Sequence, residues 1–384
     1  MDKKAFLKGA VTGAIVVAAG VGAYSFAAGY GQDDYDAKRE HIEQLLDSRY
    51  VDEVDKDNMY EAVYKAMAES LGDKYTEYMS AEEYKSYMES SQGTFYGIGV
   101  TISEDKENRV ITVINTLKDS PAQKAGLLAG DMIIKVNDTD IVGFSLDEAT
   151  SVIKGEKGTT VKITVLRPET EETLVFDIIR DEVVEQSVAV NMLDDIGYIQ
   201  ISGFKKNTYN EFMEAYDEVR DKDAKGLIID VRSNPGGLFE VVRNICDELV
   251  GKGVYVYTID KSGKKEEFIS DEKCIDIPLY VLVNEHSASA SEILAGAVQG
   301  MEAGKLIGTT TYGKGLVQGL FGLKDGSGLK ITIQKYYTPK GICIQGEGIA
   351  PDYEVFLPDG FIYSGQIDLE NDTQLLKAIE LINK

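Results

Sequence analysis

The chain has 384 residues, enough for two domains with real cores or three small units. Hydrophobic residues at 43% and charged residues at 27% place it with ordinary globular proteins. A formal net charge of −25 speaks against nucleic acid or another polyanion as partner, because such binders gather Lys and Arg on one face.

In chain order, Lys3, Lys4 and Lys8 precede an uncharged run at 9–30, and Asp33, Asp34 and Asp36 follow it. Such a run can span a bilayer as a helix of about 20 residues. The lysines would keep its leading end in the cytoplasm and put everything after Tyr30 outside. The expectation is a single-pass anchor in the cell membrane over residues 1–30. Its rival is a signal segment cut at Ser25-Phe26-Ala27, which would leave a secreted protein. Residues 31–92 are helical in pattern: Ile42, Leu45 and Leu46 recur at helical spacing, as do Ala62, Val63, Ala66 and Met67. These amphipathic helices could support a homodimer. His41, among charges, reads as a solvated residue, and LGDKYTEYMS reads as a turn.

A compact unit follows at 93–180. YGIGV leads through a Gly-rich turn into a strand, RVITVINTL is a second strand, and SPAQKAGLLAGDMIIKVND gives a short helix, a Gly-Asp turn and another strand. Ser145 and Glu148 form a capping box, and TVKITVLRP alternates with Val161, Ile163 and Val165 on one face. The turn at Gly97, Ile98, Gly99 and Val100 has two readings. It is a tight turn, or consecutive N–H groups form an anion nest beside an open strand edge that accepts a peptide. Beyond Arg180, GYIQISGF, KGLIIDVRSN, PLYVLVNE and KLIGTT alternate with helical patterns, which argues for a layered α/β core of mainly parallel strands.

Three segments of this second half carry chemistry: DVRSNPGGLF, NEHSASASEILAGAVQG and TYGKGLVQG. Ser289, three residues before Glu292, is either a helix cap or a nucleophile at a helix start, where free N–H groups favour a developing oxyanion. Ser287 and Ser291 compete with it. Of the two histidines, His41 lies far away in sequence and His286 is cramped against Ser289, so the base could be a lysine, which must then be neutral and desolvated. GTTTYGKG has the spacing of a phosphate loop, but Gly315 stands where magnesium binding needs Ser or Thr. Lys314 is thus a base, a nucleotide ligand or a solvated turn residue. Cys246, Cys274 and Cys343 show no zinc spacing; one disulfide and buried free thiols both fit.

The 93–180 unit resembles a PDZ domain. SASASEILAGA with the Lys of YGKGLVQ 25 residues after Ser289, together with LGDKYTEY, DVRSNPGG and YYTPKGICIQGEGIAPD, resembles the C-terminal processing (tail-specific) serine peptidases over about residues 60–355. The resemblance implies an α/β fold: a spiral ββα, crotonase- or Clp-like peptidase core at 181–384, an inserted PDZ domain and an N-terminal helical segment. It implies Ser289 as nucleophile, Lys314 as general base and Gln318 orienting the lysine amine. The N–H groups of Ala290 and of Gly236 or Gly237 would form the oxyanion hole, and residues 97–100 the carboxylate-binding loop. Arg167, at a strand end, is the candidate for sensing an occupied loop. The implied function is cleavage of extracytoplasmic proteins near free C termini, without metal or cofactor. Glu285-His286 departs from the smaller residues expected there. The alternatives are an inactive PDZ adaptor and a nucleotide binder.

Overall fold

The computed structural model describes residues 34–105, 109–361 and 363–384. The chain divides into two compact units, one ending at Ser70 and the other running Leu71–Lys384. Among the described residues the first unit has the helices Tyr35–Arg49 and Lys56–Glu69. Asp34 and Asp55 cap them by accepting the N–H groups of Ala37 and Asn58. His41, expected to be solvated, is half-buried.

The expected single-pass location in the membrane is corrected here. No helix among the described residues is long and apolar enough to cross a membrane. The longest has 15 residues and is strongly charged, short of the about 20 apolar residues a bilayer requires. The run at 9–30 lies outside the described residues. Nothing among the described residues supports the homodimer.

In the second unit a six-stranded sheet carries the order Val188–Leu193, Ile196–Ile201, Gly226–Asp230, Leu279–Val283, Lys305–Gly308, Tyr353–Glu354. All pairs are parallel except the first. Central strands such as GLIID are buried along their whole length because both faces are covered. The period of two sorts their side chains. Leu227 and Ile229 join the larger core with the helices Thr208–Asp221, Phe239–Leu249 and Ala290–Gly300. Ile228 turns the other way, onto Leu375 and Ala378 of the last helix, Thr373–Ile382.

A second sheet was not expected. It is antiparallel, with the order Glu77–Met79, Gly328–Tyr337, Gly253–Asp260, Lys265–Ser270, and Leu316–Gly322 pairs with Gly328–Tyr337. The end of LGDKYTEYMS is therefore a strand of this sheet rather than only a turn.

The strands Val100–Asp105, Val110–Thr116, Met132–Val136, Thr160–Arg167 and Glu172–Ile179 form a further antiparallel sheet in that order. It packs on the helix Leu146–Ile153, whose capping box is formed by Ser145 and Glu148. Among the described residues Val100–Asp105 pairs only with Val110–Thr116, which leaves its other edge open among them. The chain enters and leaves this unit through a two-stranded ribbon, Thr94–Gly97 against Asp181–Val184.

Candidate active site

Ser289 ends the approach from Leu279–Val283 and stands at the N-cap of the helix Ala290–Gly300 with φ 55° and ψ −111°. A residue with a side chain keeps such a backbone only where its surroundings over-determine it. Two clamps do so here. Glu292 Oε2 accepts the Ser289 N–H at 2.8 Å. Gly236 (φ 107°) presses in from the other side, where a Cβ would stand 2.8 Å from Ala288 O and 2.9 Å from Ser289 Cβ. Neither competing serine is available: Ser287 Oγ donates to Val231 O and Ser291 Oγ to Asn234 O.

The glycine turn itself is braced from below. Asp230 accepts from Arg232 N and Nε and from the hydroxyls of Tyr198 and Tyr363. Arg232 Nη1 donates onward to Asp372 Oδ1 and Gln374 Oε1, at 2.9 and 3.0 Å. Asn234 Oδ1 takes the Gly236 N–H at 2.9 Å. Among the described residues the N–H groups of Gly237 and Ala290 donate to no protein atom, whereas that of Gly236 is spent. Gly237 must be glycine, since a Cβ would stand 2.2 Å from Phe204 O.

Ser289, Ala290, Gly236, Gly237, Lys314 and Gln318 line one cavity of about 570 Å³, with Leu238, Phe239, Ile293 and Tyr336 supplying apolar wall. His286 is off this cavity, with its side chain 68% exposed and 3.8 Å from Glu285. The lysine loop is held by the same carboxylate as the serine. Glu292, fully buried, accepts Thr311 Oγ1 (2.6 Å) and Gly313 N (2.7 Å) on Oε1, and Lys314 N (2.8 Å) on Oε2. The N–H groups that a phosphate loop would offer its ligand are thus consumed inside the protein. Burial pushes the Lys314 ammonium below its ordinary value and Lys330 adds to this, while Tyr312, Glu292 and Asp73 oppose it.

Among the described residues no hydrogen bond joins Lys314 Nζ to Ser289 Oγ or to Gln318, whose Nε2 donates to Thr332 Oγ1 at 3.3 Å. The Lys314 ammonium instead lies 4.7 Å from the centroid of the Tyr75 ring. Catalytic hydrogen bonds are often long before substrate binds.

At the PDZ-like loop, Gly99 (φ 75°) leaves no space for a side chain, as a Cβ would stand 2.4 Å from Ser120 Cβ. The Ile98 and Gly99 carbonyls accept from Ala122 N and Leu117 N, and among the described residues their own N–H groups donate to no protein atom. The Ile98 side chain is 1% exposed and belongs to the core of this unit; Val100 is half-buried.

Arg167 stands at the end of its strand, where the sequence places it, and is already paired. Its guanidinium is taken by Asp131, with Nε–Oδ1 2.7 Å and Nη2–Oδ2 2.8 Å, and by Gly126 O. Lys154, which sequence reading missed, is a cation beside the loop. Its Cγ would lie 3.8 Å from a Cβ on Gly97, and its Nζ is 5.0 Å from the Phe95 ring. The signal was its place just before Gly155, whose N–H donates to Tyr96 O and so draws the helix end to the loop.

Among the described residues no group of His, Cys, Asp and Glu could hold a metal ion. Cys246, Cys274 and Cys343 are free thiols rather than a disulfide pair.

Residues 195–355 match the family described as peptidase family S41, and residues 87–166 match the PDZ domain. The chain is 37% identical over 336 residues to the carboxy-terminal processing protease CtpA of Bacillus subtilis, covering 87% of this chain and 71% of that one. It is 35% identical over 325 residues to a CtpA-like serine protease of Staphylococcus epidermidis, covering 84% of this chain and 65% of that relative's length. A crystal structure assigned as an S41 protease from Bacteroides fragilis superposes with a TM-score of 0.52 at 17% identity, over 84% of this chain and 90% of that one. That last likeness speaks for the fold.

Proposed function

The chain belongs to the serine-type peptidase family S41 and carries a PDZ domain, and from this premise we propose that it cuts proteins near their free C termini with a Ser289–Lys314 dyad. The observation that carries this reading is the single cavity shared by Ser289, Lys314 and the uncommitted N–H groups of Ala290 and Gly237. Residues 181–384 would do the cutting and residues 93–180 the recognition.

In the reaction Lys314 Nζ leaves the Tyr75 ring as a neutral amine and takes the Ser289 hydroxyl proton while Oγ attacks the peptide carbonyl. The carbonyl oxygen gains charge between the Ala290 and Gly237 N–H groups, at the positive end of the helix Ala290–Gly300. The ammonium then protonates the leaving amine. Water attacks the acyl-enzyme with Lys314 again as base, which restores Ser289. Gln318 Oε1 would accept from the lysine once its amine has turned toward Ser289.

Recognition would use the open N–H groups of Ile98 and Gly99 for the terminal carboxylate, the edge of Val100–Asp105 for the backbone, and Lys154 for charge. Tethering the tail there raises its effective concentration at the cavity. The test is incubation of the chain with an unfolded protein, followed by mass spectrometry of the products. Truncation from the C terminus that disappears in Ser289→Ala supports the peptidase. Binding of tails without any cut would replace it with the adaptor reading.

A further inference from the structure

We propose that Tyr75 is a positioning residue for Lys314: its ring docks the charged lysine away from Ser289 and releases it on deprotonation. This rests on the reading of Lys314 as general base. The turn that carries Tyr75 is built rigidly. Asp73 accepts the Tyr75 N–H at 3.1 Å and the Thr76 hydroxyl at 2.7 Å, and Thr76 Oγ1 in turn accepts the N–H of Thr332 at 3.2 Å. Directly after it, Glu77–Met79 pairs with Gly328–Tyr337, the strand that also pairs with Gln318. The ring is therefore fixed to the same sheet as the lysine's expected partner.

Tyr75 is not among the residues lining the cavity, yet Lys314 Nζ is 4.7 Å from its centroid. It touches the base without touching the space a substrate fills. An ammonium is drawn to the face of an aromatic ring by the ring quadrupole, and a neutral amine is not. The contact therefore discriminates between the two protonation states of Lys314. It holds the form that cannot accept a proton and lets go of the form that can.

Other charged or titratable groups around Lys314 are Lys330, paired with Glu77 at 2.7 Å; Tyr312; the buried Glu292; and Asp73. Lys74 lies 4.9 Å from the same Tyr75 ring and donates to Tyr312 Oη at 3.0 Å. Substituting Tyr75 by Leu also takes the ring from Lys74, which is exposed. Phe keeps both ring contacts and removes only the hydroxyl, so the Leu–Phe difference in Lys314 titration reports the ring.

The experiment compares Tyr75→Leu and Tyr75→Phe in the full chain by two measurements. One is the pH profile of kcat/KM. The other is the pH dependence of Lys314 acylation by acetic anhydride, read by mass spectrometry, which does not depend on catalysis. With Leu, both midpoints should fall by about half a unit to one unit, because the charged form loses its ring. Phe should leave both in place, and KM should hold in both variants. A Leu variant whose acylation midpoint equals that of wild type overturns the proposal. If Leu does not fold, Met at the same position carries the same two measurements. Should Lys314→Ala keep full cleavage, the general-base reading falls, while the acylation shift still decides whether the ring docks the lysine.

Discussion

Glu292 Oε2 holds the main-chain N–H of Lys314 at 2.8 Å, and the same oxygen holds that of Ser289. One buried carboxylate thus fixes the two loops against each other, with Thr311 and Gly313 on its second oxygen. Glu292→Gln would turn an NH2 group onto the N–H groups of Ser289 and Lys314 in one orientation, and onto the Gly313 N–H and Thr311 hydroxyl in the other. The expected result is a loss of about 1–3 kcal/mol in urea unfolding and a fall in kcat of about 100-fold from misplacement of the dyad. A Gln variant with wild-type kcat would remove the tether from the account of catalysis.

Ser289→Ala and Lys314→Ala should each bring turnover to near background while remaining folded, and the double variant should be little worse than either single one. Lys314→Arg should be equally inactive, since a guanidinium does not release its proton. Activity of the wild type should be lost as pH falls through the Lys314 value, because the base must be neutral. Burial lowers that value, so the acid limb should lie below the about 10.4 of a free lysine. A limb at or above it would contradict Lys314 as base.

Matched substrates with a free or an amidated C terminus should differ by about tenfold or more in kcat/KM, as expected when a charged hydrogen-bonding group is lost. Lys154→Met should narrow this difference. Equal rates on the two substrates in wild type would remove the carboxylate-reading role of residues 97–100.

Arg167 should matter for stability. Burial alone would raise the Asp131 carboxyl, but the Arg167 guanidinium and the Leu128 N–H outweigh it and hold it below the ordinary carboxylate range. A carboxyl depressed in the folded state stabilises fully above its unfolded value, about 3.9, and loses this as pH falls through the folded value. Arg167→Met should cost about 3 kcal/mol near neutral pH, as for a broken buried pair. It should also flatten the acid side of the stability profile. Urea midpoints measured from neutral pH down through the acid range decide it.

The parts of this site that sequence spells locally were legible. DVRSNPGG and SASASEIL each place their candidate groups, the Gly237 N–H and Ser289, within one turn, and the parallel sheet follows from fully apolar runs such as GLIID. What was hidden depends on contacts between distant segments. Glu292 looked like a cap for Ser289, which is one of its four bonds; the other three come from Thr311, Gly313 and Lys314. The choice between Gly236 and Gly237 hangs on which N–H the Asn234 side chain takes. Arg167 drew attention as a charge at a strand end, but a buried Asp131 had already claimed it. The antiparallel sheet went unseen because two of its strands, Leu316–Gly322 and Gly328–Tyr337, lie among turn-rich segments while a third, Glu77–Met79, is over 230 residues away.

Arg232 is braced by Asp372 and Gln374, 140 and 142 residues further along the chain. Part of the bracing of the glycine turn beside Ser289 therefore waits until the helix Thr373–Ile382 has been made and docked. Under the proposed reading, a half-made polypeptide would itself be a loose stretch within reach of Ser289. A brace that arrives late would keep such a blade dull while the segments before it are still loose.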